Sequence, residues 1–409
     1  MPPAELAALL LVQVAVILTV CRIVGSLIRR VRQPQVIAEM IAGFMLGPSL
    51  LGAVAPSVEA WLFPAAAMPV LYVASQLGLV LYMFCVGLEF RLDLLRRLGR
   101  TAAAVSIAGI AGPLAFGAAL AIVLLARPGI FPPDVTTANA VLFMGAAMAI
   151  TAFPVLARII SERGISGTAV GALALAAGAI GDAVAWILLA FVLASFSGDS
   201  TVELFALGGT AAYVVLIVAG ARPLAARLAA RVDRDGAIGP PVLAAVLVML
   251  ALGAWFTDRA GVHSVFGAFL LGVAVPRGRL ADGLRGLIEP LTTALLVPLF
   301  FVYSGLNTEL GLLDSGALWA IAAAILLTAC AGKALPCWAA ARLSGATSRD
   351  ALAVATLMNA RGMVELILLN IGLERGLITP TLFAMMVLMA LVTTVMTGPL
   401  FSRVWRDPR

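Results

Sequence analysis

The sequence predicts an all-α polytopic membrane protein of about thirteen spanning helices, and three observations carry that prediction. The 409 residues are 62% hydrophobic and only 12% charged, far outside the composition of a soluble globular domain. Apolar runs of spanning length recur along the whole chain with short polar breaks between them. The arginines fall in alternate breaks: Arg29, Arg30 and Arg32 after the first run, Arg91, Arg96, Arg97 and Arg100 after the third, Arg158 and Arg163 after the fifth, and Arg222, Arg227, Arg231 and Arg234 after the seventh. Arg277, Arg279 and Arg285, then Arg342 and Arg349, then Arg403, Arg406 and Arg409 continue the pattern, while the intervening breaks hold only Arg127, Arg259 and Arg375. By the positive-inside rule this puts the N-terminus outside and the C-terminus in the cytoplasm, in a cell (inner or plasma) membrane. It also excludes a nucleic-acid reading of the net charge of +6, since a basic binding face would not alternate by loop.

Taken in order, the predicted helices are 5–28, 34–51, 66–90, 101–126, 136–161, 166–196, 202–230, 240–257, 262–275, 286–304, 315–341, 350–373 and 379–402. The first apolar run, Leu6 to Ile28, has spanning length and no small-residue cleavage site, so it reads as a helix of the mature protein. The stretch from Arg222 to Gly239 reads as the longest strongly polar loop, and nothing after Arg403 is long enough to fold. The expectation is one membrane domain over 1–409 without a soluble regulatory domain. The cysteines, Cys21, Cys85, Cys330 and Cys337, lie in or beside apolar runs without paired spacing, which points to packing rather than to a disulfide or metal framework.

A weak internal repeat sets Ile159-Ile160-Ser161-Glu162-Arg163-Gly164-Ile165 beside Ile371-Gly372-Leu373-Glu374-Arg375-Gly376-Leu377. Helix five then matches helix twelve, and the topology makes the repeats inverted: six helices over about 1–198, a linking seventh, and six more over about 236–409. Both matched helices have broken patterns. Helix five carries Thr151 and Pro154 in mid-span, and the proline removes a helical hydrogen bond. Helix twelve carries Asn359-Ala360-Arg361-Gly362 and Glu365. Paired interruptions in corresponding halves point to a binding site at mid-membrane, where unwound backbone offers carbonyls and helix ends offer dipoles.

Five ionisable residues fall well inside predicted spans: Glu39, Asp182, Lys333, Arg361 and Glu365. Each costs roughly 2.5–3.5 kcal/mol at the centre of a spanning helix, so each needs a partner or a function. Asp182 lies between Gly178-Ala179-Ile180-Gly181 and a further apolar run, a carboxylate suited to binding either a proton or a cation. Lys333 is the only lysine in a chain that otherwise uses arginine, and lysine, unlike arginine, can lose its proton when buried. It is either that or a structural partner for a carboxylate or helix end. Arg361 and Glu365 stand one helical turn apart and suit pairing with each other or with the broken helix ends, a structural role being the ordinary one and cation binding the alternative. Glu39 either satisfies a neighbouring helix or lines a cytoplasmic funnel. His263, the only histidine, opens the ninth helix, where capping or packing is the ordinary role and pH sensing the alternative.

Several phrases together resemble the monovalent cation/proton antiporters of the Kef type and the plant and fungal cation/proton exchangers, within the sodium/hydrogen exchanger superfamily. They are Ala38 to Gly52 (AEMIAGFMLGPSLLG), Gly78 to Glu89 (GLVLYMFCVGLE), Phe153-Pro154-Val155-Leu156-Ala157, His263 to Phe269 (HSVFGAF), Phe300 to Leu306 (FFVYSGL), Asn359 to Asn370 (NARGMVELILLN) and Met389 to Thr394 (MALVTT). The resemblance covers nearly the whole chain. It implies a homodimer, a dimerisation subdomain interleaved with a six-helix core whose discontinuous helices cross at the ion site, and elevator-like alternating access. It places Asp182 on the essential aspartate, which would hold the monovalent cation, Thr151 on the unwound part of helix five, and Lys333 on the basic residue of the core; Asn359, Arg361, Glu365 and Glu39, singled out from the residues themselves, are candidate supporting groups.

One departure matters. Electrogenic relatives carry two adjacent acidic residues and electroneutral ones a neutral residue, typically Asn, before a single Asp; here that position is Gly181. Without a second carboxylate, Lys333 is left to compete with the cation for Asp182, and exchange of K+ or Na+ for H+ is expected to be electroneutral. The alternatives are a gated cation channel, for which the isolated charges form no ring or carbonyl filter, and a carrier of an organic or antibiotic ion on the same fold. No nucleophile–base set, paired carboxylates or metal-ligand spacing points to an enzyme, and no cofactor is implied.

Overall fold

The computed structural model describes residues 1–29, 35–89, 100–165, 168–195, 208–209, 211–260 and 264–405. Among them every regular element is a helix: α1 (Pro3–Ile28), α2 (Gln35–Leu46), α3 (Pro56–Leu62), α4 (Met68–Glu89), α5 (Arg100–Leu125), α6 (Thr137–Ala149), α7 (Phe153–Glu162), α8 (Ala169–Ser195), α9 (Arg222–Asp235), α10 (Pro240–Arg259), α11 (Ser264–Ala274), α12 (Arg279–Leu291), α13 (Val297–Leu306), α14 (Gly316–Leu343), α15 (Ser348–Leu357), α16 (Met363–Glu374) and α17 (Pro380–Val404). Single π turns at Pro48–Gly52, Ile217–Ala221 and Thr292–Leu296 follow α2, lead into α9 and join α12 to α13.

Eight helices among the described residues are long and apolar enough to cross a membrane, with shorter apolar helices at Ile37–Gly52, Thr137–Ala149, Ala169–Gly181 and Ser264–Ala274. The chain is a multi-pass membrane protein. Helices α1, α5, α14 and α17 begin and end close to the bounds expected from the apolar runs, because charge or a proline marks each end. The two spans whose sequence patterns are interrupted are broken in the structure: 136–161 is α6 and α7, and 350–373 is α15 and α16. The polar stretch after Arg222 is not a loop. It is helical through Asp235, stabilised by the Arg231–Asp235 pair one turn apart at 3.5 Å, and it stops at Gly236, whose φ of +78° is left-handed.

The chain divides into two compact units. The first comprises Met1–Leu18, Leu62–Phe90 and Ala190–Tyr303. Within it α4 packs on α11 with backbone nearly touching backbone, since a Cβ placed on Gly272 would stand 2.9 Å from the Gly87 Cα. Lipid tails are as apolar as leucine, so helices in a membrane associate through such close packing rather than through expulsion of water. Tyr213 Oη donates to the Gly267 carbonyl at 2.7 Å, tying the segment before α9 to α11. Val215, Val248, Leu252 and Trp255 are exposed, as side chains facing lipid are.

The second unit comprises Thr19–Trp61, Arg91–Leu189 and Ser304–Arg409. Helix α17 runs through its middle: two-thirds (67%) of its most apolar window is buried, against 28% for α5 and α14 at the periphery. The core gathers Leu156 and Ile160 of α7, Ala174 and Ala177 of α8, Val354 and Leu357 of α15, and Phe401 of α17. Threonine caps start three of its helices, Thr136 on α6, Thr347 on α15 and Thr379 on α17, each accepting the backbone N–H three residues on. All four cysteines are free thiols, and Cys21, Cys85 and Cys337 are buried.

The close α4–α11 contact leaves no room for a branched side chain. Gly272→Val is expected to lower the thermal midpoint in detergent by the equivalent of about 1–3 kcal/mol, while lipid-facing Leu252→Ala leaves it nearly unchanged. Equal shifts in the two variants would contradict this packing.

Candidate functional site

The site is built where the two broken spans meet. Helix α6 ends at Ala149, and Ile150 turns to extended backbone (ψ 134°) while still donating to the Ala146 carbonyl at 3.3 Å. Thr151 and Ala152 are non-helical and buried, and α7 starts at Phe153 with a proline second. A proline there is favourable: it lacks the N–H that an uninterrupted helix would need, and a helix start leaves that N–H unused anyway. On the other side α15 ends at Leu357, and Met358, Asn359 and Ala360 close its last turn through bonds to Val354, Thr356 and Leu357. Helix α16 starts at Met363. Gly362 lies against the first break, where a Cβ would come within 3.0 Å of Val155 Cγ2 and 3.1 Å of Ala152 Cβ.

One backbone bond joins the breaks: Ala152 N–H donates to the Ala360 carbonyl at 3.1 Å. The chain thus pairs one segment's orphan donor with the other's orphan acceptor.

The carbonyls at the end of α6 are met by two basic side chains. The Arg361 guanidinium donates to Ala147 O at 3.1 Å and Met148 O at 3.0 Å, and Lys333 Nζ donates to Ala149 O at 2.5 Å. Lys333 also donates to Gly109 O of α5 at 2.8 Å. Both side chains are 1% exposed, so bulk solvent does not screen their effect. The free carbonyls carry the negative end of the helix dipole, and basic groups there are favourable by up to ~2 kcal/mol in partly buried settings. Arg361 additionally pairs with Glu365 Oε1 at 3.3 Å, and its backbone N–H donates to Thr394 Oγ1 at 3.2 Å. The expected Arg361–Glu365 pair is therefore present. Among the described residues, Glu365 Oε2, Arg361 Nε and Asn359 Oδ1 lack a hydrogen-bond partner.

Thr151, Lys333, Asn359, Arg361 and Glu365 are thus gathered at or beside the crossing. Gly181 lies on α8, and its residue is buried. Asp182 is the next helical residue, but its side chain lies outside the described residues, and His263 lies outside them altogether. Helix α8 reaches the crossing through Gly178: a Cβ there would stand 2.5 Å from Leu156 Cδ2 and 3.6 Å from Phe153 Cδ2, in the first turn of α7. Residue 182 follows one turn later on α8. Glu39, 4% exposed, sits elsewhere in this unit, on α2, which packs against α17. Sequence reasoning assigned no role to Ser106, Gly109 or Thr394. The hydroxyls were visible as polar atoms inside apolar runs, but the use of the Gly109 carbonyl left no trace in the sequence.

The chain has known relatives. Residues 15–406 match the family described as sodium/hydrogen exchanger, transmembrane. The chain belongs to that family. It is similar to the Na(+)/H(+) antiporter NhaS4 of Synechocystis, with 38% identity over 402 residues covering 98% of both chains. It is also similar to cation/H(+) antiporter 18 of Arabidopsis thaliana (38% identity) and the K(+)/H(+) antiporter 1 of Saccharomyces cerevisiae (34%), each matched over 98% of this chain. The chain spans about half the length of those two relatives, 49% and 46%. Its fold is like that of the sodium proton antiporter MjNhaP1 from Methanocaldococcus jannaschii at pH 8, with a TM-score of 0.63, 19% identity and 96% coverage of both chains. Membership in this monovalent cation/proton antiporter family agrees with the resemblance carried by the sequence motifs.

The crossing makes a specific demand of Arg361. Arg361→Met strands the Glu365 carboxylate and two carbonyls, and is expected to destabilise the protein by about 3–5 kcal/mol in thermal unfolding. Adding Glu365→Gln removes the stranded charge and should recover part of that loss. Independent, additive effects of the two substitutions would show that the pair does not act as a unit.

Proposed function

We propose that the protein is a secondary active antiporter that exchanges a monovalent cation, K+ or Na+, for H+ by alternating access, with Asp182 binding cation and proton in turn. The observation that carries this reading is the crossing itself. Two interrupted helices meet through Ala152 and Ala360, with Arg361 and Lys333 holding the α6 carbonyls, beside the helix that bears Asp182. The printed names of the relatives include both Na(+)/H(+) and K(+)/H(+) antiporters, so both ions are taken as substrates to test.

A single carboxylate in a low-dielectric site favours one positive partner at a time. An empty carboxylate bears the full desolvation cost, and double occupancy brings two positive charges together. Cation and proton therefore compete, and that competition is what couples their opposed movements. Thr151 and the backbone of the break offer oxygens to the cation, while Asn359, Arg361, Glu365 and Glu39 support the surrounding structure. When the site empties, Lys333 takes the cation's place as the positive partner of Asp182. Because residue 181 is glycine, the site has one exchangeable negative charge and the cycle moves no net charge. The chain is read as a single membrane domain with about thirteen spans in inverted repeats, N-terminus outside, C-terminus cytoplasmic, acting as a homodimer in a cell membrane.

The test is a pH-gradient dequenching assay in proteoliposomes with sodium, potassium, lithium and rubidium in turn. Wild type is expected to exchange at least one of them without generating a membrane potential, and Asp182→Asn is expected to fall to the protein-free background. Exchange by Asp182→Asn at the wild-type rate would end the assignment. A potential built up by wild type would end the electroneutral part alone, and flux without proton counter-flow would favour a channel.

A further inference from the structure

We propose that Ser106 supplies a neutral oxygen ligand to the transported cation, in the space left by the missing side chain of Gly181. This rests on the antiporter reading and adds a residue that sets cation affinity.

Ser106 lies on α5 and is fully buried, at 0% exposure, and its Oγ has no hydrogen-bond partner among the described residues. Other buried helical hydroxyls in this protein behave differently. Thr257, Thr292, Thr393 and Thr397 each return the hydroxyl proton to the carbonyl four residues back, at 2.8–3.1 Å. That is the usual way a helix within a membrane satisfies such a group. Ser106 forgoes it, and a buried hydroxyl without a partner costs about 1–3 kcal/mol. A cost of that size at one position points to a partner that comes and goes.

The hydroxyl faces a definite place. A Cβ built on Gly181 would have Ser106 Oγ at 3.8 Å and, its own helix backbone and chain neighbours aside, no other heavy atom of the described residues within 4 Å. Glycine at 181 therefore leaves room in front of the hydroxyl, on the residue directly before Asp182. Three residues along α5 from Ser106, the Gly109 carbonyl receives Lys333 Nζ. One helix thus holds both the core lysine and an unused oxygen beside the aspartate's helix.

The chemistry fits a dehydrated monovalent cation, which takes oxygen ligands. A serine hydroxyl offers two lone pairs without charge, so it raises cation affinity and leaves the charge moved per cycle unchanged. In the proton-loaded state the same hydroxyl can instead donate to a carboxyl oxygen or a water.

The test is the cation dependence of exchange in proteoliposomes. Ser106→Ala is expected to raise the cation KM about tenfold, with the rate at saturating cation held within about twofold and no fall in thermal midpoint, because it removes an unsatisfied polar atom. Ser106→Ala combined with Gly181→Ser returns an oxygen to the same space and should recover much of the wild-type KM. An unchanged KM in Ser106→Ala overturns the proposal. So does a loss of rate at every cation concentration accompanied by a lowered midpoint, which is the signature of a packing role. Asp182→Asn run in parallel separates the two readings: if it still exchanges, the antiporter site fails and Ser106 with it, whereas an inactive Asp182→Asn beside a normal Ser106→Ala overturns Ser106 alone.

Discussion

Everything around the crossing depends on one constraint: a helix that stops inside a membrane must hand its orphan backbone groups to another part of the protein. Here the first break donates through Ala152 N–H to Ala360 O in the second, and Arg361, directly after that acceptor, turns back to the Ala147 and Met148 carbonyls of the first. Neither break is stable alone. Each supplies what the other lacks, and small residues at the meeting point, Ala152, Ala360 and Gly362, let the backbones come close enough to bond.

The basic residues follow from the same constraint. An arginine or lysine in mid-membrane is costly, yet a helix C-terminus in mid-membrane is also costly, and placing one against the other offsets both. Arg361 further neutralises Glu365, so the cluster is a chain of mutual obligations that fixes the α6 end with respect to α5, α14 and α16. A rigid frame of this kind is what an exchanging carboxylate needs nearby. The proposed competition of cation and proton at Asp182 is sharp only if the Arg361–Glu365 pair stays where it is.

Much of this could be read from residue order. Long apolar runs ending in charge or proline placed α1, α5, α14 and α17 within a few residues, and the Thr151–Pro154 and Asn359–Gly362 stretches marked both breaks, because they hold what a continuous spanning helix does not accommodate. The apolar pattern carries the seventh expected helix to 230 while the charge density from Arg222 to Gly239 reads as a loop, and the Arg231–Asp235 pair one turn apart is the signal for the helix through Asp235. Other features were out of reach. Arg361 bonds a carbonyl 214 residues earlier in the chain, and a backbone carbonyl such as that of Gly109 carries no side-chain signal at all. Ser106 looks like any helical serine until the tertiary structure shows that its hydroxyl does not bond back.

In the proposed exchange one carboxylate binds a cation or a proton but not both. By linkage, cation binding must then displace a proton, and rising proton concentration must weaken cation binding to the same degree. The direct measurement is proton release from the purified protein in weakly buffered detergent solution as sodium or potassium is added. Release of about one proton per cation bound, abolished in Asp182→Asn, is the predicted result. Cation binding without proton release would contradict the account.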